Sequence, residues 1–189
     1  MTSVLLLIDI QNEYFENGKM PLSGTKKAAA NAAILAAHFR EKTYPVIHIR
    51  HDEGPDSEVF GSKTEGGKIN DMVKPLKDET VIAKNQINAF RDTNLEDELR
   101  KHNPSRIVVA GNMTHMCVDS AVRAAADLGF DVTVVADACA TKDLTFQEQT
   151  VKAADVHAAF LAALAGGGFA KVQSTQEFMS DENFNQATA

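Results

Sequence analysis

Apolar residues fall along the chain in two alternating textures. Short, nearly continuous apolar runs that stop at a polar residue or a turn predict buried strands at Val4–Asp9, Val46–His51, Thr80–Lys84, Arg106–Gly111, Asp131–Ala136 and Phe169–Val172. Between them, apolar positions at helical spacing predict helices at Thr25–Lys42, Leu95–His102 and Val118–Leu128. The pattern Thr145-x-x-Glu148 predicts the start of a long helix running to about Ala165, where Gly166-Gly167-Gly168 ends it, and Ser174-x-x-Glu177 predicts a capped final short helix. Asn12–Gly24 and Asp52–Gly67 read as loops; the second is long enough to suggest a functional role, at the mouth of a pocket. With no repeat or linker, the alternation predicts one domain over residues 1–189. Its fold class is α/β: a three-layer α/β/α, doubly wound, Rossmann-like domain with a six-stranded, mainly parallel sheet. Such sheets bind ligands beyond the carboxyl ends of their strands, which directs attention to Asp9, Lys84 and the Gly111–Cys117 turn.

Composition adds exclusions. At 189 residues and 44% apolar content the chain can bury a sizeable core. A net charge of −7 without a Lys/Arg cluster argues against nucleic acid and anionic membrane as partners. The longest apolar run, Val4–Ile8, is too short to span a bilayer and lacks the basic flank of a signal peptide, so a cytoplasmic protein is expected. Two cysteines, Cys117 and Cys139, do not make a disulfide framework.

Cys117 falls where the helix after the fourth strand begins. A helix start offers unpaired N–H groups and partial positive charge, which predict a lowered thiol pKa and donors for an oxyanion. Thr114, as an N-cap, competes for those donors, and a small buried cysteine is the bland alternative. Asp9 closes five consecutive apolar residues, where a carboxylate must be paired or must cap the next segment; as a base it can take the Cys117 proton. Lys84 can pair with Asp9, although its spacing does not distinguish it from other lysines. Cys139, past the fifth strand, reads as packing. His48 and His51 are three apart in a strand and fall on opposite faces, so they are poor metal co-ligands, and neither a metal nor a cofactor is expected.

With these residues in view, the chain resembles the isochorismatase-like cysteine hydrolases, the superfamily of nicotinamidases, carbamoylsarcosine amidohydrolases and isochorismatases. The resemblance rests on Leu6-Leu7-Ile8-Asp9-Ile10-Gln11-Asn12, on Lys84-x-x-x-Asn88-Ala89-Phe90, and on Val109-Ala110-Gly111-Asn112-Met113-Thr114-His115-Met116-Cys117-Val118. It implies Asp9 as general base, Lys84 as its electrostatic partner and Cys117 as nucleophile. It further implies a cis peptide at Asn112–Met113 and an oxyanion hole from the Met113 and Cys117 N–H groups, with Gln11, Phe15 and Asn88 near the substrate. Asn88 stands where the family usually has Ser. The stretch His51-Asp52-Glu53 departs from the Asp-x-His metal motif of nicotinamidases, which disfavours nicotinamide.

The implied reaction is metal-independent amide hydrolysis of a small molecule through a thioester. Vinyl ether cleavage of the isochorismatase type and a non-catalytic thiol-sensing module are the alternatives. The resemblance also implies a homo-oligomer, a dimer or tetramer. Light scattering at micromolar concentration is expected to give a multiple of the chain mass, and a single-chain mass refutes it.

Overall fold

The computed structural model describes residues 2–187, with side chains as far as residue 181. Six strands form one sheet: β1 (Ser3–Ile8), β2 (Val46–His51), β3 (Thr80–Lys84), β4 (Arg106–Asn112), β5 (Val132–Ala140) and β8 (Lys171–Gln173). Their spatial order is β3-β2-β1-β4-β5-β8, and every pairing is parallel. β1 is buried along its whole length because it is covered on both faces. Val4, Leu6 and Ile8 pack with α2 (Leu95–His102), α3 (Asp119–Asp127) and α4 (Ala153–Gly166). Leu5 and Leu7 pack with the Ala29, Ala32, Leu35, Ala36 and Phe39 face of α1 (Thr25–Glu41) and with Phe178 of α5 (Thr175–Ala187). The fold is thus the doubly wound α/β sandwich that the strand–helix alternation predicts. The order in which strands are added to the sheet reverses between β1 and β4, the switch point where such sheets open a crevice.

The stretch after β5 differs from the sequence expectation. Thr145 and Glu148 do not open a helix; Leu144–Phe146 and Gln149–Val151 form an antiparallel hairpin, β6 and β7. The Thr145 and Thr150 hydroxyls face each other across it at 3.0 Å, and Gln147 takes a left-handed conformation in its turn. The helix begins only at Ala153, whose N–H donates to the Asp143 carboxylate at 2.8 Å, so the cap comes from ten residues upstream. Ser174 and Glu177, by contrast, do bond reciprocally as a capping box: the Ser174 N–H donates to Glu177 Oε2 at 2.7 Å and the Glu177 N–H to Ser174 Oγ at 3.2 Å. β5 continues to Ala140, past the expected Ala136.

On the α1 face of the sheet, Glu79 ties three elements together. It accepts from Arg40 at 2.7 and 2.8 Å and from the Leu76 N–H at 2.8 Å, and it pairs with His48 Nε2 at 2.9 Å. Burial alone raises a carboxyl pKa, but the Arg40, Leu76 and His48 bonds outweigh it and hold Glu79 at about 2. A carboxyl held below its unfolded value stabilises the fold fully above pH 4.5, and that contribution is lost as the pH falls toward about 2. Glu79→Gln is therefore expected to lower unfolding stability at neutral pH by about 2 kcal/mol and to flatten the acid side of the stability–pH curve. Urea melts between pH 7 and pH 3 check both; an unchanged acid slope counts against the assignment.

Candidate active site

Asp9 follows the last residue of β1 and turns off the strand in a left-handed conformation, φ 51°. Two bonds hold it there: the Asp9 N–H donates to the Ile49 carbonyl at 2.9 Å, and Asn112 Nδ2 donates to the Asp9 carbonyl at 3.2 Å. The second requires β4 to come close, and Gly111 permits this. A Cβ on Gly111 would lie 2.0 Å from the Ile8 carbonyl oxygen, and its φ of 134° disfavours other residues. The Asn112–Met113 peptide that follows is cis.

Lys84 is the last residue of β3. Alternation places it on the same side as Ile82, so its side chain points inward from the second-neighbour strand. Its ammonium lies 2.8 Å from Asp9 Oδ2, and both side chains are completely buried. It also donates to Cys117 Sγ at 3.4 Å and meets His51 Nδ1 at 3.1 Å. An ion pair this deep is favourable only while both charges stay together.

Cys117 lies in a wide turn, Thr114–Val118, of the π type, and α3 starts only after it. The Met116 and Val118 N–H groups both donate to the Met113 carbonyl. Thr114 does not cap the turn: its hydroxyl meets the Ala140 carbonyl at 3.3 Å and His157 Nδ1 at 2.9 Å. The lowered thiol pKa expected from a helix start is reversed. Burial first, and the Asp9 carboxylate second, push Cys117 up to about 12, with Lys84 pulling in the other direction. The resting sulphur is a neutral thiol between a base and a cation. Cys139 is also buried and pushed up to about 12, by burial first, with a Gly111 backbone bond pulling the other way.

The three residues expected near the substrate, Gln11, Asn88 and Phe15, have these surroundings. Gln11 is fully buried, and its carboxamide is spent on backbone: Oε1 accepts from the His51 N–H at 2.7 Å, while Nε2 donates to the His51 and Gly67 carbonyls at 2.8 and 2.9 Å. It pegs the end of β2 to the long loop. Asn88 Oδ1 accepts from the Phe90 N–H at 3.0 Å in a local turn. Phe15 lines a groove of about 820 Å³ with Tyr14, Leu22, Thr25 and Met72, which Asp9, Lys84 and Cys117 do not line.

Sequence reasoning passed over Tyr14, Phe60 and the roles of His51 and Glu53. The Tyr14 and Phe60 rings pack 5.0 Å apart, and the edge of Phe60 meets His51 at 5.4 Å. Burial, then Asp9 and Cys117, raise the Tyr14 phenol well above its usual range. The only sequence signal for Phe60 was its place as an aromatic within the long glycine-rich loop. His48 and His51 do face opposite sides of the sheet. His48 meets Glu79, while His51 Nε2 meets Glu53 Oε1 at 2.6 Å. Among the described residues no three His, Cys, Asp or Glu side chains gather as metal ligands. His51 in particular presents Nδ1 to the Lys84 ammonium and Nε2 to the Glu53 carboxylate. No described helix is long and apolar enough to cross a membrane.

Residues 3–177 match the isochorismatase domain model. The isochorismatase family protein YddQ of Bacillus subtilis, itself uncharacterised, is 47% identical over 180 residues, covering 95% of this chain and 99% of its own. A streptothricin hydrolase of Streptomyces noursei is 29% identical over 140 residues, covering 74% of this chain and 50% of its own. A crystal structure of a provisionally assigned isochorismatase hydrolase from Oleispira antarctica superposes with a TM-score of 0.90 at 45% identity, covering 95% of this chain and 96% of that one.

Because Lys84 is the cation that draws the Cys117 thiol downward, the two cysteines differ in reactivity. Iodoacetamide is expected to label Cys117 before Cys139 in the folded protein, and Lys84→Met to slow Cys117 about tenfold or more while leaving Cys139 unchanged. Peptide mass spectrometry over a time course reads both rates; equal rates in the wild type sink the assignment.

Proposed function

The chain belongs to the isochorismatase family of hydrolases, and from that membership we propose that it cleaves a C–N (amide) bond of a small molecule through a thioester on Cys117. The observation that supports this most is the contact of one ammonium, Lys84 Nζ, with both the Asp9 carboxylate at 2.8 Å and the Cys117 sulphur at 3.4 Å. A neutral thiol needs a base at the moment of attack. Asp9 takes the S–H proton as the S–C bond forms, and the carbonyl oxygen becomes an oxyanion facing the Met113 and Cys117 N–H groups. Lys84 balances the charge that passes between carboxylate and sulphur. Collapse breaks the C–N bond, and the Asp9 proton leaves on the amine. Water then adds to the thioester, giving one proton to Asp9, and the C–S bond breaks as that proton returns to sulphur. Acid and amine are released. Two unpaired cysteines suit a reducing cytoplasm.

In the vinyl ether alternative Asp9 acts as an acid and the sulphur is dispensable; in the sensing alternative no acyl group is ever carried. A screen of small amides is expected to find a substrate on which Cys117→Ser and Asp9→Asn each lose roughly a thousandfold or more in kcat, with an acyl adduct on Cys117 by intact mass. Full turnover by Cys117→Ser favours ether cleavage, and a persistent failure to acylate favours sensing. On that substrate, dialysis against a chelator is expected to leave the rate unchanged; loss restored by zinc or manganese overturns metal independence.

A further inference from the structure

His51 has no place in the mechanism above, yet its ring touches the group that organises it. An ammonium has three N–H donors and no acceptor. Lys84 has three polar neighbours for them: Asp9 Oδ2 at 2.8 Å, His51 Nδ1 at 3.1 Å and Cys117 Sγ at 3.4 Å. Since Lys84 can only donate, His51 Nδ1 must be the unprotonated nitrogen. The ring proton is then on Nε2, where the Glu53 carboxylate receives it at 2.6 Å. The residue is held elsewhere too. Gln11 bonds the backbone N–H and backbone carbonyl of His51, and the Phe60 ring packs edge-to-face with the imidazole.

We propose that His51 is a positioning residue for this site: fixed by Glu53 as the Nε2–H tautomer, it accepts one N–H of Lys84, holds the ammonium between Asp9 and Cys117, and releases it when the ring is protonated. The inference rests on the roles given to Lys84 and Cys117 above. The charged and titratable groups facing His51 are Lys84 from β3 and Glu53 from the loop after β2, with Asp9 and Cys117 beyond the ammonium and the Tyr14 phenol behind Phe60. Protonation removes the one ring lone pair that faces Lys84 and sets a second positive charge beside the ammonium, with Nδ1 and Nζ 3.1 Å apart. Glu53 is half-exposed, so the ring exchanges its proton with solvent through that side.

The test needs no substrate. Cys117 alkylation by iodoacetamide is measured by peptide mass spectrometry from pH 5 to pH 9 in wild type, His51→Leu and His51→Asn; asparagine offers Oδ1 in place of Nδ1 but does not titrate. His51→Leu is expected to slow Cys117 about tenfold at a fixed alkaline pH, and His51→Asn to stay within about threefold of wild type. In wild type the logarithm of the rate is expected to fall more steeply than one per pH unit on the acid side, with His51→Asn keeping a slope of one. A residue that served only packing moves none of these slopes. Wild-type alkylation by a folded His51→Leu, or identical pH profiles for wild type and His51→Asn, overturns the proposal. If His51→Leu does not fold, the profiles of wild type and His51→Asn decide alone. Failure of the thioester reading shows separately, as unimpaired hydrolysis by Cys117→Ser.

Discussion

Everything at the carboxyl edge of the sheet depends on one ion pair, Asp9 with Lys84, closed off completely from solvent. Taking either charge out of water alone costs several kcal/mol, so the two must be brought together or the fold must give one up. The surrounding structure enforces the meeting. β1 and β3 are separated by β2, and the lysine side chain is long enough to cross it. Gly111 lets β4 press against β1, and Asn112 then pins the left-handed turn that aims the carboxylate inward.

The same pair determines the state of the sulphur. Cys117 is buried beside a carboxylate and an ammonium, and the balance leaves a protonated thiol. A helix terminus that generated a standing thiolate would leave Asp9 little to do as a base. In the proposed mechanism, a neutral thiol beside the Asp9 carboxylate makes proton transfer part of the attack on substrate. The wide turn carrying Cys117 fits this reading: its flanking N–H groups serve the Met113 carbonyl, and burial controls the thiol.

Around that centre lies a shell built from the long loop and the end of β2. Gln11, Phe60 and Glu53 converge on His51, and His51 converges on Lys84. The aromatic pair Tyr14 and Phe60 packs along the same region. Such a shell fixes side-chain positions more narrowly than the ion pair can by itself.

The sequence by itself determined the sheet, its two covered faces and the strand ends at which Asp9 and Lys84 occur, because burial imposes a periodicity that can be read locally. It also marked the Gly111–Cys117 segment as the place for a nucleophile. It misplaced the start of α4, since the cap comes from Asp143 across a hairpin, and a non-local hydrogen bond leaves no mark in a four-residue pattern. Only the tertiary structure decided that Gln11 ties the end of β2 to the long loop, that the Cys117 thiol is raised and not lowered, and that the His51 ring meets Lys84. Each of those depends on partners tens of residues away along the chain and on how much water the packed site excludes. Both are properties of the assembled sheet, which no window of residues contains.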